Sequence, residues 1–208
     1  MITVQLYLAS TSPARRQTLT QVGLNPLILD HNVDEEALVE EATADGPVPP
    51  GEIVQLLARA KAEDALHADV TGLVIGGDSV FAVDGEVFGK PHTVENAKAR
   101  WLRQRGKTGV LYSGHWIADV HNGVIRAGVG GPTEASVTFR DDITDEEIDA
   151  YIATGEPLKV AGAFTIDARG AAFIEKIEGD PYTVVGMSVA KLRELIRQLG
   201  YSFTDLWG

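Results

Sequence analysis

The chain has 208 residues, 44% hydrophobic and 23% charged, a balance that excludes disordered, fibrous and membrane-spanning classes and points to a soluble globule of one or two domains. Thirty acidic against eighteen basic residues give a net charge of −12, a field that repels polyanions and argues against a nucleic-acid polymer as partner. With no cysteine, thiol catalysis, cysteine-ligated zinc, iron–sulfur clusters and disulfides are excluded, in keeping with a reducing compartment.

Ile2, Val4, Leu6 and Leu8 alternate with polar residues and predict a strand ending at Ala9-Ser10. The first fourteen residues carry no charge. They lack the basic start of a signal peptide and are too short to cross a bilayer. Pro13 fits the first turn of a helix capped by Thr11 or Ser12 and stopped at Gly23. A strand at Pro26 to Leu29 then leads into an acidic stretch, Asp34 to Gly51, which reads as a loop. Pro50-Gly51 opens a helix with Ile53, Leu57, Ala60 and Asp64 on one face and Lys61 near the margin of its apolar stripe. Leu73-Val74-Ile75 predicts a buried strand that delivers Gly76-Gly77-Asp78-Ser79 at its carboxyl end, where open α/β sheets place their chemistry. Asp84-Gly85 between Val80–Val83 and Glu86–Phe88 is a strong hairpin signal.

Thr93 caps a helix to about Gln104, and Val110 to Val120 and Val124 to Val129 predict a long hairpin around His121-Asn122-Gly123, followed by another strand at Ser136 to Phe139. Thr144-x-x-Glu147 is a capping box for a helix that Gly155 ends, and Ser188 caps a final helix that Gly200 closes. The predicted architecture is α/β with a mixed sheet, in one domain over residues 1–208. The tail Tyr201 to Gly208 is either a partly ordered end or, through Phe203, Leu206 and Trp207, a segment that docks on a neighbouring surface.

Three groups of residues can carry chemistry. The hydroxyl-rich turn Ser10-Thr11-Ser12 before Arg15 and Arg16 is either an anion site at a helix start or a well-capped surface helix. Asp78, with Glu35 and Asp34, can hold Mg²⁺ or act as general base on water, or Asp78 can simply cap a turn. Lys61 and Lys90 are cations beside apolar runs, either phosphate ligands or snorkelling side chains. There is no phosphate-loop, dinucleotide or zinc-protease motif, and the five histidines show no ligand spacing and read as solvent or loop residues.

Read together, these segments resemble the Maf family of nucleoside triphosphate pyrophosphatases. The resemblance rests on LYLASTSPARRQTL (Leu6 to Leu19), VDE (Val33 to Glu35), LARAKA around Lys61 and GGDSVFAVDGEVFGKP (Gly76 to Pro91). It continues through TDEEIDAYIATGEPL (Thr144 to Leu158) and AGAFTIDARGAAFIEKIEGDPYTVVG (Ala161 to Gly186). It implies a two-lobed mixed-sheet fold like that of the inosine triphosphate pyrophosphatases, with a cleft between the lobes. It further implies a cytoplasmic, homodimeric enzyme, dependent on Mg²⁺ or Mn²⁺, that converts a nucleoside triphosphate to monophosphate and pyrophosphate, in some members to clear modified nucleotides.

Carried over by position, Asp78 matches the family's proton acceptor. Ser12, Arg15, Glu35, Lys61 and Lys90, with the neighbouring Arg16, fall in the phosphate and metal region, Glu35 and Asp78 holding the metal. Arg169 lies in the segment Ile166-Asp167-Ala168-Arg169-Gly170, similar to the family's IQGRG. Ala14, Ser79 and Asp167 occupy the family's specificity positions and match neither of two known branches, and Val160 replaces the lysine of many members. The alternative expectation is a nucleotide-binding regulator of division or septum formation without significant turnover.

Overall fold

In the computed structural model, which describes residues 4–208, the first element is the apolar strand β1 (Leu6–Ala9). Ile2 of the predicted strand lies outside the described residues. Helix α1 (Pro13–Gln21) follows, with Ser12 as N-cap, and then the two-residue strand β2 (Leu27–Ile28). Helices α2 (Glu35–Thr43) and α3 (Pro50–Asp64) lead to β3 (Gly72–Val83) and β4 (Glu86–Phe88). Helix α4 (Val94–Gln104), strands β5 (Thr108–His121) and β6 (Val124–Phe139), helix α5 (Asp145–Ala153), strand β7 (Ile174–Gly179) and helices α6 (Pro181–Val185) and α7 (Val189–Gln198) complete the chain.

The sheet order is β2-β1-β3-β5-β6-β7, with β4 paired to β3. β1 runs parallel to β2 and β3, whereas β3–β4 and β6–β7 are antiparallel, so the sheet is mixed as expected. Contacts divide the chain into two units: the chain up to Asp78 with Ser113–Thr133 and Gly186–Gly208, and Ser79–Tyr112 with Glu134–Val185. Each has its own core. The first packs Leu8, Leu19, Leu73, Ile75, Met187 and Leu192 together, and the second is aromatic, with Phe81, Trp101, Phe139, Tyr151 and Phe164 meeting edge to face. No helix among the described residues is long and apolar enough to cross a membrane.

Turn and cap chemistry formed as the sequence dictates. Asp84-Gly85 (φ 52° and 76°) and Asn122-Gly123 (φ 50° and 75°) both take the positive dihedrals of type I′ hairpins. The Thr144/Glu147 capping box is present on both sides, and Gly155 ends the helix at φ 75°.

Four expectations need correction. The acidic stretch after Asp34 is not a loop throughout but contains α2: Asp34 accepts from the Ala37 N–H as N-cap, and Glu35 and Glu36 favour the positive helix end. No α2 residue is buried, so the apolar signal that would reveal it is missing. Gly76-Gly77-Asp78-Ser79 is not a strand end but the middle of the twelve-residue β3. Likewise β6 passes unbroken through Gly128, Gly130 and Gly131, because Trp116 and Gln55 occupy the space that side chains at Gly128 and Gly130 would need. Finally, the buried face of α3 is Val54, Leu57, Ala58, Lys61 and Ala62, so Lys61 sits within that face and not at its margin.

The glycines of β3 explain this rotation. A Cβ at Gly76 would lie 2.0 Å from the Ala58 carbonyl oxygen, and one at Gly114 on β5 would lie 2.1 Å from that of Val54. Helix α3 thus seats its backbone directly on two strands. Gly77 faces the other way, where a Cβ would crowd Met187 and the Arg15 side chain.

The tail docks on its own chain: Phe203 and Leu206 join the first core, and Trp207 covers Gly23. Asn25 Nδ2 donates to the Gly208 carbonyl at 2.7 Å.

Gly76→Ala tests the helix seat. The added methyl meets backbone and not a movable side chain, so the substitution should lower unfolding stability by about 2–3 kcal/mol in urea titrations, while Gly85→Ala, where no atom is within 4 Å, costs only the strain of its positive φ.

Candidate active site

Within the first unit, α1, α2, α3 and β3 bring Arg15, Glu35, Lys61 and Asp78 together. Lys61 is 5% exposed and Asp78 8%. The Lys61 Nζ donates to Asp78 Oδ1 at 2.6 Å and lies 2.8 Å from Glu35 Oε1, so one buried ammonium joins two carboxylates. Asp78 Oδ2 has no hydrogen-bond partner among the described residues. One oxygen of the carboxylate is anchored while the other is available.

Arg15 lies in the first turn of α1 and is buried. Its Nε donates to the Gly186 carbonyl (2.9 Å) and its Nη1 to Ser10 Oγ (3.1 Å). Burial draws this guanidinium below its ordinary value while Asp78 and Glu35 oppose the shift, and an arginine stays charged throughout. Arg15 is therefore a fixed cation beside the carboxylates, whereas Arg16 is exposed. Arg16 lines a concavity of about 500 Å³ with Ser10, Thr11, Ser12, Pro13, Gln17 and Ile28. Hydroxyls, a free-standing guanidinium and the positive end of α1 give it the chemistry of an anion pocket.

His115 departs from the expected solvent or loop setting, whereas His31 lies in the loop between β2 and α2. His115 is fully buried on β5, its Nε2 accepting from the Ser188 N–H at 2.8 Å and its Nδ1 facing the Gly131 carbonyl at 3.2 Å, which fixes a neutral Nδ1–H tautomer. His31 stands near Lys61, Glu35 and Asp64. Burial and then the Lys61 charge lower its pKa, against the pull of the carboxylates, and its buried Nδ1 has no partner among the described residues.

The other candidates belong to the second unit. Ser79 continues β3. Lys90 is exposed on a backbone tied down at several points: Arg100 donates to the Gly89 and Lys90 carbonyls and stacks 5.1 Å over Phe88, and Asn96 Nδ2 donates to the Pro91 carbonyl. Asp167 and Arg169 form an exposed loop tip. At its base is Glu156, which the sequence analysis did not single out. Burial raises this carboxyl, but hydrogen bonds from Thr165, Gly170, Tyr151 and Arg169 outweigh it and hold the group below its ordinary value. Its one local signal is a carboxylate directly after the helix-stopping Gly155. Its partners lie up to fourteen positions downstream, beyond the reach of local pattern.

No three His, Asp or Glu side chains among the described residues converge on a metal position. Glu35 and Asp78 do converge, around a position that already attracts positive charge. Two carboxylates suit Mg²⁺ or Mn²⁺ where substrate phosphates and water complete the shell, and do not suit a cage built of protein alone.

A family model described as Maf-like protein matches residues 5–199. Proteins named nucleoside triphosphate pyrophosphatase from Leifsonia xyli subsp. xyli, Salinispora tropica and Trichormus variabilis are 55%, 47% and 42% identical. These alignments cover 98%, 98% and 100% of this chain and 97%, 88% and 100% of theirs. Among solved structures, the Staphylococcus aureus Ham1 protein aligns over 94% of this chain and 95% of its own at 13% identity, with a TM-score of 0.44, too distant to bear on function.

Removing Lys61 should unmask the cost of the buried carboxylate. Lys61→Met removes the hydrogen-bonded partner of the buried Asp78 carboxylate and should destabilise the fold by about 3–5 kcal/mol, with Lys61→Met/Asp78→Asn recovering a large part in chemical denaturation. Glu35, whose side chain is 45% exposed, is rehydrated and contributes little to that loss.

Proposed function

Because the chain belongs to the Maf-like protein family, we propose that it hydrolyses nucleoside triphosphates to the monophosphate and pyrophosphate, the activity for which its full-length relatives are named. The observation that carries the reading is the half-anchored Asp78, one oxygen held by buried Lys61 and the other open, beside the fixed cation of Arg15.

The chemistry follows from that arrangement. Asp78 accepts a proton from water as the water oxygen bonds to the α-phosphorus, and the bond from that phosphorus to the bridging oxygen breaks so that pyrophosphate departs with its electron pair. Charge builds up on the leaving group. Arg15, the hydroxyl of Ser12 and the exposed Arg16 supply donors for it, and Lys90 and Arg169 are exposed cations of the kind a triphosphate requires. Lys61 keeps the Asp78 carboxylate oriented so that its open oxygen meets the water. A divalent cation, when bound by Glu35 and Asp78, supplies further positive charge to the phosphate oxygens. The reading includes a cytoplasmic homodimer and a role in clearing modified nucleotides, as the family resemblance implies.

Base choice falls to Ala14, Ser79 and Asp167. An ionised aspartate accepts hydrogen bonds and donates none, so Asp167 favours bases with N–H donors on the edge it meets, such as guanine or cytosine. The small Ala14 leaves room for a bulky or modified base. In competition between triphosphates, Asp167→Gln should shift preference toward a uracil-type edge by about tenfold, and an unchanged preference would remove this residue from base reading.

Pyrophosphate release from a panel of ordinary and modified triphosphates, with Mg²⁺ or Mn²⁺, tests the reading directly. Asp78→Asn should lower turnover by about 10²–10⁴ with nucleotide binding largely kept. Binding without turnover in the wild type would instead make the protein a nucleotide-dependent regulator.

A further inference from the structure

Glu156 follows α5 in a single 3-10 turn (Glu156–Lys159), and its side chain is 13% exposed. Its Oε1 accepts three donors: the Thr165 hydroxyl at 2.6 Å, the Tyr151 hydroxyl at 2.9 Å and the Gly170 N–H at 3.0 Å. Its Oε2 accepts from the Arg169 N–H at 3.3 Å and lies 3.7 Å from Arg169 Nη1. All but the tyrosine belong to the segment from Thr165 to Gly170. That segment is wound so tightly that a Cβ at Gly170 would lie 2.5 Å from the Thr165 carbonyl oxygen and 2.6 Å from the Tyr151 hydroxyl. Between these fixed ends the tip Asp167-Ala168-Arg169 is exposed.

One carboxylate therefore fastens both ends of a loop whose tip presents a side chain that only accepts hydrogen bonds and another that only donates them. Such a pair, two residues apart on an immobilised turn, suits a ligand with a donor edge and an anionic group, as a nucleotide has. We propose that Glu156 is a positioning residue that holds this loop so that Asp167 and Arg169 meet the nucleotide in one arrangement. The inference rests on the triphosphatase reading and adds to it the residue that sets substrate affinity from beneath the contact surface.

The two oxygens have separate tasks, and this makes the proposal testable. A glutamine can place its oxygen where Oε1 stands and keep Thr165, Tyr151 and Gly170. Its amide N–H₂ then faces the Arg169 N–H and guanidinium, donor against donor. Glu156→Gln should thus release Arg169 while leaving the base of the loop in place.

In steady-state kinetics of the full chain with its best triphosphate, Glu156→Gln should raise KM about tenfold with kcat within about threefold, since the reacting carboxylate is untouched. Combined with Arg169→Ala it should add little to Arg169→Ala alone, a non-additivity that a general loss of stability does not produce. Amide hydrogen exchange should quicken at residues 167–169 and stay unchanged elsewhere. An active enzyme whose KM ignores Glu156→Gln, or full additivity with Arg169→Ala, overturns the inference while sparing the triphosphatase reading. A wild type that turns over no triphosphate overturns both. Should Glu156→Gln not fold, Thr165→Val, which removes one donor and leaves the carboxylate, must raise KM in the same direction, and an unchanged KM there overturns the proposal.

Discussion

The approach of α3 to the sheet governs the first unit. Backbone meets backbone where Ala58 stands over Gly76 and Val54 over Gly114, a separation no side chain on either strand would permit. At that distance Lys61, one turn after Ala58, brings its ammonium into hydrogen bond with Asp78 on the strand below. The pair is thus a product of glycine placement as much as of its own charges.

A second consequence is electrostatic. The chain is acidic overall, so an anion approaching from solution meets a repulsive mean field and must be caught by local charges. Lys61 pairs with Asp78 and Glu35, and the buried Arg15 is near enough to feel both carboxylates, which keeps the cluster near neutrality before a ligand arrives. The hydrogen bonds of Arg15 to Gly186 and Ser10 fix it in position, so it has no reorganisation to undergo when charge shifts nearby. Arg16 and Lys90, by contrast, are exposed.

Much of this was legible in the sequence where the causes are local. Caps at Ser12, Thr93, Thr144 and Ser188 and the Asp-Gly and Asn-Gly turns are set by a few adjacent residues, and all formed as read. Arg15, Glu35, Lys61 and Asp78 stand out in the sequence by residue type and setting alone, and the fold brings them together. Sequence misled where the cause is a distant neighbour. The glycines at 76 and 77 read as a turn because nothing local shows that a helix lies on one face and an arginine on the other. Those of β6 read as a break because the indole that fills their space belongs to β5. Glu156 and the buried His115 escaped for the same reason, their partners being contributed by segments far along the chain.

The alternation along β3 also limits how this segment can change over evolution. Gly76 and Asp78 face α3 while Gly77 faces Arg15, so insertion or loss of a single residue between Leu73 and Asp78 would turn the carboxylate toward the arginine side and press a side chain into the helix. Length is therefore frozen along this stretch even where composition could drift, since apolar residues at 73 to 75 can exchange among themselves. Variation in length has an outlet nearby, at the hairpin tip of Asp84-Gly85, where there is open space and no face to preserve.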